Sequence, residues 1–180
     1  MKSFKIYIVG ESNSGKSSIL SVLQNKPFTF NIAQTIGINY CRYQKNGQIY
    51  EIYDTSGLAQ FEQLTINSMK NANLIILCFD ISSKDAFRDV EKWLNIIQNS
   101  AQATPTVLVG NKTDKILQKK NRQIEELIQN YALYYTSARS PQTVKEMFNT
   151  VFESYRLLHD RVEIISKKKD SKGWNWLCLC

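Results

Sequence analysis

Histidine is nearly absent from this chain. His159 is its single copy in 180 residues. No nucleophile is paired with it, and it sits near the end of the last predicted helix, where a positive side chain suits the dipole. Imidazole catalysis is therefore not expected. Cysteine is scarce as well, and four copies make no disulfide framework. Cys41 and Cys78 fall in β-like runs as buried thiols, and Cys178 and Cys180 stand too close together to staple anything. No apolar run approaches the roughly 18 residues of a transmembrane helix. The opening residues 1–9 are too short for a signal peptide and run straight into a turn. The expectation is a cytosolic chain unless something anchors it. Internal repeats are missing too. Acidic residues are the minority, with 18 Lys and Arg against 14 Asp and Glu over residues 1–160, and five against two over 161–180. A basic body without an RNA- or DNA-binding motif predicts no nucleic-acid partner. A basic tail beside terminal cysteines points to an anionic membrane surface.

What is present is an alternation of strand-like and helix-like stretches. Residues 4–9 read as a buried strand, 10–15 as a loop, and 16–24 as a helix with Ile19, Leu20 and Leu23 on one face. Residues 36–43 and 48–53 read as two strands around Asn46-Gly47, a hairpin signal because both residues tolerate positive φ. The run "LIILCF" at 74–79 suits a central strand covered on both faces. Further strands are predicted at 106–109 and 133–135, and helices at 86–97, 122–130 and 143–158. The last helix carries Val144, Met147, Phe148, Val151, Phe152 and Tyr155 on its inner stripe. Trp93 falls in helical register and reads as core, and Lys119, Lys120 and Arg122 read as a solvated loop and helix start. Past about residue 165 the pattern stops, and "SKKKDSKGWNW" cannot bury a face. The alternation predicts an α/β fold with a mostly parallel sheet, helices on both faces, and ligands at the C-terminal strand ends.

The chemistry lies in the loops after those strands. "GESNSGKS" at 10–17 fits G-x-x-x-x-G-K-[ST] between a strand and a helix, the context that pattern requires. Gly10 and Gly15 let the backbone curl so that its N–H groups, through Ser12, Asn13, Ser14 and Ser18, converge on phosphate oxygens. Lys16 can reach the β- and γ-phosphates, and the Ser17 hydroxyl is a hard oxygen ligand for Mg²⁺. Asp54 in "DTSG" is placed as a carboxylate on the metal side, and Thr35 can supply another hydroxyl. In "NKTD" at 111–114, Asp114 can accept two hydrogen bonds from adjacent N1–H and N2–H₂ donors, which guanine has. Adenine would leave the carboxylate unpaired. Asn111 can bond both the base and neighbouring loops, and the stem of Lys112 can lie over the base. "TSAR" at 136–139 follows the next strand, where the Ala138 N–H can meet the guanine O6.

With these loops in order, the chain resembles the Ras-like small GTPases and, within them, the Rab family. The resemblance covers about residues 3–160 and the last three residues. It is carried by Gly10–Ser17, Thr35, Asp54–Gly57, Asn111–Asp114 and Ser137–Arg139, and for the Rab family by "TIGINY" at 35–40, "DAFRDVEKWL" at 85–94 and the terminal "CLC". It implies a three-layer P-loop NTPase fold with a six-stranded, mostly parallel sheet and one antiparallel edge hairpin strand. It also implies GTP/GDP and Mg²⁺ as cofactors, with Phe28 against the guanine, Thr35 on Mg²⁺ and the γ-phosphate, and the Gly57 N–H on the γ-phosphate. The implied division is a GTPase domain over 1–160 and a flexible basic tail over 161–180. The departures are Tyr53 for a tryptophan, Ile32 for a tyrosine in the first switch, "SMKN" at 68–71 for a Tyr-Tyr-Arg-Gly-rich segment, Ala59 for a glutamate, and Leu58 for the glutamine that orients the attacking water.

The expected function is a Rab-like molecular switch in vesicle and membrane trafficking with slow GTP hydrolysis. Two alternatives are a GTP-locked binding module without meaningful turnover and a Ras-like signalling GTPase outside trafficking. A P-loop kinase for a small molecule lacks an arginine-rich lid. Leu58 stands at the catalytic position beside Lys16 and Thr35, and its side chain offers neither donor nor acceptor. Gln60, or a glutamine supplied by an activating protein of the TBC type, can replace the missing group. The resemblance implies geranylgeranyl groups on Cys178 and Cys180 and effectors at the two switches. It further implies an exchange factor, a GTPase-activating protein, and Rab escort and dissociation-inhibitor proteins. The place implied is the cytoplasmic face of an intracellular membrane, in exchange with the cytosol. Lys167, Lys168, Lys169 and Lys172 would add roughly 1 kcal/mol each near anionic lipid, and Trp174 and Trp176 suit the interface.

Overall fold

The computed structural model describes residues 3–30, 32–115, 126 and 129–155. Its elements in chain order are β1 (Phe4–Val9), α1 (Lys16–Leu23), β2 (Ile38–Lys45), β3 (Gln48–Thr55), a 3₁₀ turn (Ala59–Phe61), α2 (Glu62–Met69) and β4 (Leu74–Asp80). These are followed by α3 (Ala86–Ala101), β5 (Thr106–Asn111), a second 3₁₀ turn (Thr113–Lys115), β6 (Ala132–Tyr135) and α4, helical over residues 141–155. The six strands form one sheet in the order β2-β3-β1-β4-β5-β6. Only the β2–β3 pair is antiparallel. Its connection is the Asn46-Gly47 turn, with φ of 50° and 77°.

Alternation along the strands builds two cores. On one face Ile6, Ile8, Ile76 and Cys78 meet Ile19 and Leu20 of α1 and Val144, Met147, Phe148, Val151 and Phe152 of α4. On the other, Tyr7, Val9, Ile75 and Leu77 meet Val90, Trp93, Leu94 and Ile97 of α3 and Met69 of α2. β4 is therefore apolar without interruption because it is covered twice. Phe152 stacks on Tyr50 at 4.1 Å and Tyr43 at 5.5 Å, closing the first core beneath the hairpin. Truncating such a buried ring costs about 3–5 kcal/mol. α3 buries positions 86, 90, 93, 94, 97 and 101, a helical stripe that fixes its face on the sheet.

Several boundaries differ from the sequence reading. β2 starts at Ile38 rather than residue 36, because Gly37 sits at φ 72° and cannot extend the strand; Ile36 is exposed. β3 runs on to Thr55, so Asp54 lies within the strand. α3 continues to Ala101. The helix Glu62–Met69 was not anticipated. It buries only Thr65 and Met69, so it shows no apolar stripe in the sequence. The expected helix at 122–130 lies outside the described residues except for Glu126, which is helical, and residues 129–130. Lys119, Lys120, Arg122, His159 and the tail from 161 to Cys180 also lie outside them, and with them the 160/161 boundary. Among the described residues no helix is long and apolar enough to cross a membrane.

Candidate functional site

The loops after β1, β5 and β6, with residues 28–30 and 32–34, line a cavity of about 300 Å³. One end of it begins where β1 stops. Gly10 takes φ 136°, Asn13 takes 63° and Gly15 takes 96°, so the chain wraps once before α1 starts at Lys16. A side chain at Gly15 is excluded twice, by its φ and by Asn111 Nδ2, 2.1 Å from where a Cβ would stand. No side chain caps α1, and its first turn holds no acid, so its N-terminal N–H groups and positive dipole end are left for an anion. Lys16 is buried, with Nζ donating to the Gly10 carbonyl at 2.8 Å and the Glu11 carbonyl at 2.7 Å. Burial lowers the pKa of its amine, against the pull of nearby acidic groups that include Asp54 and Glu11.

Beside it three oxygens converge. The Ser17 hydroxyl donates to Asp54 Oδ2 at 2.6 Å, the Thr35 hydroxyl reaches the same oxygen at 3.2 Å, and the two hydroxyls are 2.9 Å apart. Asp54 Oδ1 is buried with no hydrogen-bond partner. Burial raises the Asp54 carboxyl above its usual range, and Ser17, Lys16 and Thr35 pull it back. These residues fit Mg²⁺. Every donor is a hard oxygen, and adjacent ligands at Mg–O distances of 2.0–2.1 Å in an octahedron stand roughly 2.9 Å apart. Among the described residues no group of three or more His, Cys, Asp or Glu could hold a metal unaided. An ion here would take the rest of its shell from water or a bound ligand.

The other end is built from the end of β5 and the loops after β5 and β6. Asn111 is buried, donates from Nδ2 to the Ser14 carbonyl at 3.0 Å, and accepts on Oδ1 from the Thr136 hydroxyl at 3.2 Å. Lys112 has φ 66°, and its Nζ pairs with Asp80 at 2.7 Å, which sets its stem along the cavity wall. Asp114 Oδ1 accepts from the Ser137 hydroxyl at 2.5 Å, and Oδ2 faces Arg139 Nε at 3.4 Å. The Arg139 guanidinium in turn lies 5.8 Å from the Phe28 ring and 4.9 Å from the Phe30 ring, which meet edge to face at 5.2 Å.

Ser12, Asn13, Gly15, Lys16, Ser17, Ser18, Phe28, Asn111, Lys112, Asp114, Ala138 and Arg139 all line the cavity. Ser14 and Ser137 are buried behind the wall, the first holding Asn111 and the second holding Asp114. Gly10 lies beneath, where a Cβ would stand 2.0 Å from the Cys78 carbonyl. Thr35 and Asp54 meet Ser17 at the metal-facing edge. Gly57 presses on the phosphate loop: a Cβ there would be 2.2 Å from Ser12 N and 2.7 Å from Glu11 O. Leu58 follows, half-buried, with its N–H on the Ser56 hydroxyl at 3.2 Å. Gln60 is exposed in the 3₁₀ turn. Phe30 and Thr136 belong to the site as well, with no role assigned to either by the sequence motifs. The alternating phenylalanines of "PFTF" were the available signal for the first; nothing local marks the second. Tyr53, at the family's tryptophan position, stacks on Tyr7 at 4.5 Å and meets Tyr40 at 5.4 Å.

A sequence profile described as the Ras family matches residues 5–157. The Ras-related protein RabN1 of Dictyostelium discoideum is 28% identical over 174 residues, covering 83% of this chain and 81% of that protein. Rab-1D of the same organism is 30% identical over 188 residues, covering 94% and 92%. Human Rab-30 is 30% identical over 154 residues, covering 81% and 76%.

Proposed function

Because the chain belongs to the Ras family, and is Rab-like within it, we propose that it is a GTP-dependent switch in membrane trafficking whose hydrolysis is slow. The observation that carries this reading is a cavity lined by Lys16 and Ser17 at one end and Asp114 at the other, with Thr35 and Asp54 hydrogen-bonded to Ser17 beside it and Leu58 following Gly57, which packs on the loop before α1. In this reading Asp114, held by Ser137 and Arg139, reads the guanine edge, with Ala138 N–H toward O6. Asn111 and Lys112 fix that loop, and Phe28 packs on the base. The phosphate-loop amides of residues 12–18 and Lys16 neutralise the phosphates. Bound Mg²⁺ would offset charge on the phosphate oxygens, and Ser17, Thr35 and Asp54 would hold it.

Leu58 is the reason for slow turnover. An in-line attack needs a water held beside the γ-phosphate. The leucine side chain cannot hold it, while the groups that bind the phosphates are intact. In this family an activating protein supplies about 10³–10⁵ of the rate, so the larger loss falls on activated hydrolysis unless the activator brings its own glutamine. The tail from 161 is proposed as an anchor lipidated at Cys178 and Cys180, placing the protein on the cytoplasmic face of an intracellular membrane. Mass spectrometry of the protein from eukaryotic cells tests this; no isoprenoid on either cysteine rejects it.

Two measurements test the core reading. Nucleotide released from the purified protein should be GTP or GDP, and ATP competing equally with GTP rejects guanine specificity. Single-turnover hydrolysis then separates a slow GTPase from a GTP-locked module, the second reading that Leu58 favours: no phosphate release with or without activator supports the module.

A further inference from the structure

Phe30 is 78% exposed, yet it lines the cavity. A residue that does both stands at the rim, between the cavity and solvent. Its ring meets two groups. It lies edge to face with Phe28 at 5.2 Å, and the Arg139 guanidinium stands over it, 4.9 Å from the ring centroid. Arg139 lines the same cavity from the loop after β6, so this contact joins two segments across the rim. The guanidinium is also held from the protein side. Its Nε lies 3.4 Å from Asp114 Oδ2, and Asp114 Oδ1 accepts from the Ser137 hydroxyl at 2.5 Å. The Arg139 backbone N–H donates to the Ser137 hydroxyl oxygen at 3.2 Å. A planar, weakly hydrated cation is thus positioned for a ring face, the kind of surface a guanidinium stacks on.

Phe30 sits in a stretch that is tied down on either side of it. The backbone N–H groups of Asn25 and Lys26 donate to the Val22 and Ser21 carbonyls of α1, and the Thr35 hydroxyl meets Ser17 and Asp54. The described residues between these ties form no helix or strand. Phe28 and Phe30 join this stretch to the loop after β6 through one shared cation. We propose that Phe30 and Arg139 form a clasp over the rim of the cavity that slows the release of a bound guanine nucleotide, with Phe30 as a positioning residue. This rests on the guanine-nucleotide reading above. With the base between Phe28 and Asp114, as that reading has it, the Phe30–Arg139 contact must open before the nucleotide leaves. A cation–π contact at an exposed site is weak, so the effect is a few-fold one and falls on the release rate.

Release of a fluorescent GDP from the full chain, chased with excess unlabelled GDP, tests this, with nucleotide content measured on the same samples. Phe30→Leu keeps apolar bulk and loses the ring face; it should speed release about 2–5-fold. Phe30→Tyr keeps the face and should release at the wild-type rate. Arg139→Met should speed release at least as much as Phe30→Leu, because it also removes a partner of Asp114. Adding Phe30→Leu to Arg139→Met should then bring little further gain, since non-additivity of this kind marks a direct interaction. If Arg139→Met misfolds, Phe30→Leu against Phe30→Tyr decides the matter. Wild-type release in Phe30→Leu, equal acceleration in Phe30→Tyr, or effects that multiply in the double variant overturn the proposal. Samples without guanine nucleotide reject the functional reading and the clasp with it, whereas guanine nucleotide released at an unchanged rate rejects the clasp alone.

Discussion

At the base-facing end of the cavity, the polar side chains that would meet a nucleotide are each gripped by another protein group. Ser137 and Arg139 hold Asp114, Asp80 holds Lys112, and Ser14 and Thr136 hold Asn111. At the other end the position proposed to face the attacking water is Leu58, whose N–H donates to the Ser56 hydroxyl and whose carbonyl accepts from Phe61 N–H at 2.9 Å, with nothing on its side chain to offer a water. In the proposed reading, recognition is preorganised and the side chain that would hold the attacking water is absent. Binding and turnover would then be separable, and substitutions at one end should leave the other untouched.

The largest effect is expected from Asp114→Asn. It exchanges an acceptor for a donor against guanine, removing two charge-assisted hydrogen bonds of roughly 1.5–3 kcal/mol each. GTP affinity should fall by about 10²-fold or more, while xanthine nucleotide binding improves; competition between the two nucleotides reads this directly. Unchanged GTP preference would break the contrast at its base end. Leu58→Gln should come next, with a gain in single-turnover rate on the order of 10-fold, corresponding to about 1.4 kcal/mol of barrier, and no change in nucleotide affinity. Equal rates would show that the leucine is not the limiting defect, and a further fall on Gln60→Ala would identify the substitute. Phe30→Ala should be milder. It removes the nearer ring beneath Arg139, a contact of about 0.5–1 kcal/mol at an exposed site, and should speed release of a fluorescent GDP about 2–5-fold with hydrolysis unaltered.

Asp80→Asn sets the lower bound. Burial works to raise the Asp80 carboxyl, but the Lys112 ammonium and Ser82 hold it below its usual value. A depressed carboxylate stabilises the fold above its unfolded pKa, and that stability is lost as the pH falls through the folded one. Wild type should therefore exceed Asp80→Asn in stability at neutral pH by about 1 kcal/mol or less, the scale of a partly exposed pair. The gap should close below about pH 4. Denaturant melts at pH 7 and pH 3 measure it, and a gap that widens in acid contradicts the pairing.

These regions also differ in how far the sequence discloses them. The buried strand β4 is legible because burial on both faces demands an unbroken apolar run, and α4 because its stripe repeats at helical spacing. α2 is not, since Thr65 and Met69 are too few to make a period. The phosphate loop and the Asn111–Asp114 loop are legible because their chemistry is local: consecutive residues do one job. The ion pairs of Lys92 with Glu11 at 2.6 Å and Glu62 at 2.8 Å are not. Their members are ordinary surface charges until the fold brings α2 and α3 to the phosphate loop. Phe30 is similar: its meaning depends on an arginine that arrives more than a hundred positions later.

Asn111 has a mechanical consequence. One amide group ties the turn before α1 to the strand that carries the base-reading loop, and through Thr136 to the loop after β6. Displacing the turn at Ser14 strains the seat of the base, and loosening the base loop slackens the turn. By reciprocity each displacement lowers the cost of the other by the same amount. A push on the turn before α1 therefore reaches the Asn111–Asp114 loop without any contact there; the strut at Asn111 carries the load across.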